Sequence, residues 1–126
     1  MKIKRYLLLL PALLLIAGFV MPERISIPVA GAAQRDWHPD SFWYEPWGSS
    51  GVHKGIDIFA NKGTAVTSTT AGIVLYQGEI AKGGKVVLVL GPKWRLHYFS
   101  HLNSIDVTGF TAVRSGEVIG SVGDSG

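Results

Sequence analysis

Short apolar runs separated by glycines constrain the fold of this chain more than any other feature. From residue 51 onward these runs are four to seven residues long, rich in Val and Ile, and bounded by turn signals such as Gly83-Gly84 and Gly91-Pro92. Such runs predict β-strands, and no stretch of this region has a helical period. The predicted strands cover 56–59, 71–77, 85–90, 95–101 and 117–122. We therefore expect an all-β domain, an antiparallel β-sheet sandwich or a barrel-like sheet.

The N-terminus has a different pattern. Residues 1–5 read M-K-I-K-R, and residues 6–21 follow without a charge and with many leucines. A basic tip before an apolar run is typical of an export signal. As a helix the run spans roughly 24 Å, slightly short of the ~30 Å hydrocarbon core, so a cleaved signal peptide and a retained membrane anchor both stay open. Because the basic tip favours the cytoplasm, we expect the rest of residues 1–126 to be exported. It would be anchored in the inner membrane facing the periplasm or cell wall, or secreted if the leader helix (residues 1–21) is cleaved.

Charge and composition exclude several classes of protein. The formal net charge is +3, and Lys2, Lys4 and Arg5 supply all of it. The balanced remainder offers no basic surface for nucleic acid. A hydrophobic content of 47% against 17% charged residues excludes a disordered chain. There is no cysteine, so thiol catalysis and thiolate metal sites are excluded, and any metal must be held by His, Asp or Glu.

Residues 22–50 are predicted to form a linker arm. Prolines at 22, 28, 39 and 46 interrupt regular structure, and five aromatic residues lie between 37 and 47. These aromatic side chains either pack onto the domain and tie down the arm, or wall a substrate groove, because carbohydrate and peptide ligands favour flat aromatic faces. The candidate substrate-binding residues are Trp43, Tyr44 and Trp47.

The first candidate chemical site is the run H-K-G-I-D at residues 53–57. Ile56 and Ile58 share one face of the predicted strand, so Asp57 points to the other face, beside His53. An imidazole nitrogen and a carboxylate oxygen suit Zn²⁺. The spacing alone is also compatible with a surface histidine beside a strand aspartate, because such pairs occur by chance.

The second candidate is the run H-Y-F-S-H at residues 97–101. In a regular strand His97 and His101 share a face and lie about 13 Å apart, at ~3.3 Å per residue. Ligands of one Zn²⁺ have donor atoms only ~3–4 Å apart, so these two histidines cannot both bind one ion. His101, at the strand end, is better placed, whereas His97 is expected to be hydrogen-bonded to a neighbour. Ser100 and His101 point to opposite faces, which argues against a serine nucleophile with His101 as its base.

Together these motifs resemble the lysostaphin-type zinc metallopeptidases, which cut peptide cross-links in bacterial peptidoglycan. Residues 51–58 are similar to the first zinc motif of that family, and residues 60–66 and 71–74 are similar to its next strand pair. Residues 99–102 are similar to its Tyr-x-His-Leu element, with Phe99 in place of the tyrosine. Residues 113–126 are similar to the glycine-rich strand and turn that precede its last motif.

The resemblance implies a zinc metallopeptidase-like β domain over residues 51–126. It implies that His53 and Asp57 are two of three zinc ligands, and that His101 is a catalytic histidine that orients the attacking water or stabilises the tetrahedral intermediate. It implies Zn²⁺ as cofactor and peptidoglycan peptides as substrate. The family's His-x-His motif, which contains the third ligand, lies beyond Gly126, so the site is expected to be incomplete within these residues. The alternative function is that of a non-catalytic relative that binds peptidoglycan or activates another wall hydrolase.

Overall fold

The computed structural model describes residues 2–126 as one antiparallel β-sheet preceded by a helix. Helix α1 spans Lys2–Val20. Two short 3-10 turns lie at Gln34–Asp36 and Pro92–Trp94. The strands are β1 (Ala65–Thr67), β2 (Gly72–Ile80), β3 (Gly84–Leu90), β4 (Leu96–Ile105), β5 (Ala112–Val113) and β6 (Val118–Val122). Their order in the sheet is β1-β6-β4-β3-β2-β5. The predicted fold class is confirmed: the chain is all-β apart from its N-terminal helix, and the sheet forms a half-barrel.

Four of the five predicted strands are present, as β2, β3, β4 and β6. The prediction of a strand at 56–59 is wrong, because Ile58 forms only an isolated bridge with Trp37. Residues 56–59 lie beside the arm of residues 22–50. Because that arm contains prolines, it does not provide the continuous row of donors and acceptors that a strand ladder needs. Strands β1 and β5 are not among the strands predicted from apolar runs, because at three and two residues they are too short to show a period, although the family resemblance of residues 60–66 implies a strand that overlaps β1.

The core lies under the middle of the sheet. It contains mainly β-branched residues on alternating strand positions, as expected for a half-buried sheet. Its members are Val66, Val74, Val87, Val89, Phe99, Leu102, Val113 and Ile119. The core supports strand β4, which contains two of the candidate histidines.

Strand β4 has a bulge where the sequence analysis assumed regular alternation. The β3–β4 register shifts between Lys85 and Val87, which pair with Leu102 and Phe99. Phe99 and Leu102 are both buried although they are three residues apart, which strict alternation does not allow. His101 lies inside this bulge with φ +60°. The assumption that residues 97, 99 and 101 all share one face is therefore wrong beyond Phe99.

The arm follows the edge of the domain. Near its start, Ala30 donates a backbone hydrogen bond to the carbonyl of Ala65, beside β1. Further along, the backbone of residues 36–44 exchanges hydrogen bonds with the backbone of residues 53–59. The loop that carries His53 and Asp57 is therefore held by the arm and lies outside the six-stranded sheet.

Helix α1 is apolar and exposed. Residues 3–20 are long and apolar enough to cross a membrane, and apart from Gly18, which is buried, every residue of that span is exposed. The helix contacts the domain at the Pro92–Trp94 turn, where the indole Nε1 of Trp94 donates to the carbonyl of Leu15 at 2.8 Å. Arg95 also pairs with Glu23 just beyond the helix, at 2.7 Å.

Candidate functional site

A cleft of about 1040 Å³ brings together three of the four histidines of the chain. Its walls come from the arm, from the loop around residues 53–59, from strand β4 and from residues 122–124. His53, Asp57, His97 and His101 all line it. The loop of the first motif and the strand of the second therefore face one another across the same space.

His53 and Asp57 form the closest pair of potential metal ligands in the cleft. Nε2 of His53 lies 3.7 Å from Oδ1 of Asp57. The side chains are 17% and 43% exposed, respectively, so the pair is accessible from the cleft. Their separation agrees with the ~3–4 Å expected between two ligands of one Zn²⁺. The geometry of the pair agrees with the prediction, although the predicted strand around it is absent.

A hydrogen bond at Nδ1, the ring nitrogen that does not face Asp57, orients the imidazole of His53. Its Nδ1 lies 2.7 Å from the backbone carbonyl of Ser41, an acceptor, so Nδ1 is the donor and carries the proton. In the neutral ring this leaves Nε2 as an acceptor directed toward Asp57. Two acceptors that face each other at this distance repel unless a proton or a cation lies between them, and a metal-binding histidine commonly has this type of support.

The chemistry of this pair fits two ligand positions of a Zn²⁺ site. Within residues 2–126, no group of three or more His, Asp or Glu side chains is close enough to hold an ion. The described residues therefore offer two protein ligands, where catalytic zinc sites ordinarily use three.

His101 is oriented in the same manner as His53. Its Nδ1 lies 2.8 Å from the backbone carbonyl of Ser125, so this nitrogen donates and Nε2 is left free. The Ser125 hydroxyl donates to the carbonyl of Leu102 and accepts from the backbone N–H of Lys85. The segment after β6 thus fixes the ring of a histidine that stands on the β4 bulge. A neutral imidazole with a free Nε2 can accept a proton or, once protonated, donate a hydrogen bond.

His97 also lines the cleft, and its side chain is partly buried. Its Nε2 is buried and finds no hydrogen-bond partner among residues 2–126, so the expected bond from this nitrogen to a neighbour is absent. Desolvation lowers the pKa of His97 from 6.5; the charge of Glu23 opposes this shift, and the charge of Arg95 reinforces it. The His97 imidazole therefore favours its neutral form in the cleft. The sequence analysis assigned this residue no role in the predicted zinc site.

The three candidate substrate-binding aromatic side chains do not form one common surface. The Trp47 ring stacks on the His53 imidazole, with centroids 4.3 Å apart and planes tilted by 33°. Tyr44 meets Trp47 edge-on at 6.4 Å, whereas Trp43 contacts Phe42 instead. All three candidates are more than 40% exposed, and none of them is among the residues that line the cleft. Trp47 contacts the candidate ligand His53 through its ring, whereas Trp43 and Tyr44 contact His53 through backbone hydrogen bonds.

Sequence reasoning assigned no role to Ser41, and it included Ser125 only as part of the glycine-rich run at residues 113–126. Both contribute a backbone carbonyl to a histidine, and Ser41 also hydrogen-bonds the backbone of Asp57 through its hydroxyl. A serine in a loop is a common turn residue, and a backbone carbonyl is available at every position. No local pattern could therefore have singled out either residue.

Comparison with known proteins identifies several relatives. The family model described as peptidase family M23 matches residues 51–126. The L-Ala--D-Glu endopeptidase of Bacillus subtilis is 38% identical over 95 residues, which cover 72% of this chain and 29% of that protein. The murein hydrolase activator NlpD of Salmonella typhimurium is 32% identical over 92 residues, covering 71% of this chain and 24% of that protein. The chain thus spans less than a third of the length of either relative.

A solved structure has the same fold. The catalytic domain of the antimicrobial peptidase lysostaphin from Staphylococcus simulans superposes with a TM-score of 0.61 at 27% identity. The match covers 68% of this chain and 68% of that domain.

Proposed function

Because this chain belongs to peptidase family M23, we propose that it is an exported zinc metalloendopeptidase that hydrolyses peptide bonds in bacterial peptidoglycan. The observation that supports this most directly is the facing pair of His53 Nε2 and Asp57 Oδ1, 3.7 Å apart, in a cleft that also contains His101. The similarity to an L-Ala--D-Glu endopeptidase supports a peptide substrate of the cell wall.

In this proposal His53 and Asp57 are the residues that hold Zn²⁺. When bound, the ion supplies a Lewis acid for the carbonyl of the scissile peptide bond. The ring of His53 cannot rotate freely, because Nδ1 is committed to Ser41, so Nε2 is presented to the ion without further ordering. Family resemblance assigns the third ligand to a His-x-His motif that residues 2–126 do not contain.

His101 is the proposed catalytic histidine. The bond from Nδ1 to the Ser125 carbonyl fixes the tautomer with a free Nε2. That nitrogen can take a proton from the attacking water and, once charged, donate a hydrogen bond to the oxygen that becomes negative. The bulge of β4 turns this residue into the cleft, opposite the loop of the ligand pair.

We place the protein at the inner membrane, facing the periplasm or cell wall, or in a secreted form if the leader is cleaved. The basic tip and the apolar helix α1 support export. A reporter fused after residue 126 would then be active only outside the cytoplasm. A reporter that stays cytoplasmic and soluble would contradict this placement.

The proposed peptidase activity is tested with a chain extended after Gly126 by a family-type strand that bears His-x-His. The expected result is release of new amino termini from purified peptidoglycan, blocked by a chelator and restored by Zn²⁺. His53→Ala and Asp57→Ala should abolish it, whereas His38→Ala is the matched control, because the His38 ring is exposed and outside this cleft. Cleavage that persists in a chelator, or in His53→Ala, would contradict the proposal.

The alternative is a non-catalytic partner of another wall hydrolase. Its specific support is the similarity to a murein hydrolase activator at 32% identity. Binding to peptidoglycan without any saturable zinc binding, together with stimulation of a separate hydrolase, would favour this second function.

A further inference from the structure

We propose that Ser41 is a positioning residue that holds both candidate zinc ligands in place. One end of this residue fixes the imidazole of His53, and the other end fixes the backbone of Asp57. The inference rests on the proposed function, since it explains how the arm serves that same site.

The first contact comes from the backbone. The Ser41 carbonyl accepts the Nδ1 proton of His53 at 2.7 Å, across 12 residues of sequence. The contact selects one tautomer and one ring orientation, and it leaves Nε2 toward Asp57. Trp47 packs on the face of the same ring, so the imidazole is held both at its edge and on its face.

The second contact comes from the side chain. The Ser41 hydroxyl donates to the carbonyl of His38 at 2.9 Å and accepts from the backbone N–H of Asp57 at 3.0 Å. Ser41 is only 5% exposed, so water hardly competes for these bonds. A hydroxyl has a single donor, which His38 receives, and its lone pair serves Asp57. The Ser41 hydroxyl thus links His38 of the arm to Asp57 in the loop of residues 53–57, which we call the ligand loop.

The ligand loop needs this support because it belongs to no strand. Residues 53–57 lie outside the sheet, so no ladder of hydrogen bonds fixes their backbone. The arm replaces the ladder: His38 donates to the carbonyl of Asp57 at 2.9 Å, and His53 donates to the carbonyl of Tyr44 at the same distance. Ser41 stands between these two bonds and is the arm residue that hydrogen-bonds to both ligands.

Removal of the hydroxyl isolates the second contact. Ser41→Ala keeps the carbonyl that holds His53 but leaves the N–H of Asp57 without its acceptor. Loss of a residue that orients a metal ligand ordinarily weakens metal binding about 10–100-fold. Ser68→Ala is the matched control, because Ser68 is equally buried and its hydroxyl also donates to a backbone carbonyl, at 2.7 Å, in a different part of the chain.

The experiment measures zinc affinity of the full 126-residue chain by competition with a chromophoric chelator, alongside its melting temperature. We expect Ser41→Ala to bind zinc about 10-fold or more weakly than the unsubstituted chain, in line with the loss of a supporting residue. Ser68→Ala should keep the original affinity even if its melting temperature falls as much. With Co²⁺ as the probe, the visible absorption bands should change in Ser41→Ala and not in Ser68→Ala. If the unsubstituted chain binds zinc, an equal affinity in Ser41→Ala would overturn the inference.

A second readout separates this inference from the proposed function. In the metal-free chain, the amide proton resonance of Asp57 should move in Ser41→Ala and stay in place in Ser68→Ala. If His53→Ala abolishes zinc binding but Ser41→Ala changes neither the affinity nor this resonance, the inference fails and the zinc site stands. If no form of the chain binds zinc while the Asp57 resonance still moves, the zinc proposal fails and the positioning of the loop by Ser41 stands.

Discussion

At the scale of single residues, His101 has a backbone conformation that is rare for histidine. Its φ is +60°, in the left-handed region where a Cβ costs roughly 1–2 kcal/mol. We predict that His101→Gly is more stable than His101→Ala by about 1 kcal/mol, because only glycine escapes this cost. Both variants lose the bond to Ser125, so that loss cancels. The free energy of unfolding in denaturant measures the difference.

The same two substitutions at Tyr98 provide the control. Tyr98 lies in β4 without a positive φ and is exposed, so alanine should be the more stable variant there. An alanine that is more stable than glycine at position 101 as well would contradict the strained conformation of His101.

A second prediction at this scale concerns His97 and pH. Desolvation lowers the pKa of His97 below 6.5, against the opposing charge of Glu23. The unfolded chain therefore binds more protons than the folded chain below about pH 6.5, so the free energy of unfolding falls as the pH drops from there toward the folded pKa. In His97→Gln this part of the pH dependence should be absent. Denaturant unfolding at a series of pH values between 7.5 and 5, in steps of roughly half a unit, compares the two proteins. Identical curves for both would contradict the burial of this ring.

At the scale of elements, the close approach of helix α1 to the Pro92–Trp94 turn depends on one small residue of the helix. Gly18 is buried against the indole of Trp94, and a Cβ at position 18 would overlap that ring. Gly18→Leu should therefore displace the Pro92–Trp94 turn and break the bond from Trp94 to Leu15. We predict several-fold faster tryptic cleavage after Lys93 and Arg95 in the full chain in detergent, because the turn loses its cover.

Ala12→Leu is the control for this substitution. Ala12 lies on the exposed surface of the same helix, so an added side chain there meets no part of the domain. Unchanged cleavage in Gly18→Leu, or equally fast cleavage in Ala12→Leu, would show that the helix and the turn do not depend on this contact.

At the scale of the whole molecule, zinc binding depends on how many ligands one polypeptide supplies. Residues 2–126 offer the pair His53 and Asp57 and no third group beside them. If a third ligand contributes about 3–5 kcal/mol, its absence lowers the affinity roughly 10²–10⁴-fold. We predict that a polypeptide of residues 1–126 binds zinc weakly and cleaves peptidoglycan no faster than background, and that the form extended with His-x-His regains both properties.

Calorimetric zinc titration and release of amino termini measure these two properties. Chelator-sensitive cleavage by the 126-residue polypeptide that His53→Ala abolishes would contradict the prediction. That result would mean that two protein ligands are sufficient in this site.

Local patterns in the sequence determined the fold class and four of the strands, and they predict His53, Asp57 and His101 as residues of the candidate site. Short Val- and Ile-rich runs predict strands because side-chain alternation is a property of a few adjacent residues. A local pattern does not show whether a neighbouring strand is available for pairing, and for this reason the strand prediction at 56–59 failed. In the structure this segment pairs with the arm only through the bridge between Ile58 and Trp37.

Only the tertiary structure decided how the candidate site is held. The bulge that turns His101 into the cleft depends on the register of two strands, and that register is absent from any local window. Ser41 reaches His53 across 12 residues and Asp57 across 16, while Ser125 reaches His101 across 24. The acceptors for both histidines are backbone carbonyls, which every residue possesses. Their identity could therefore come only from the folded path of the chain, which brings one particular carbonyl to each ring.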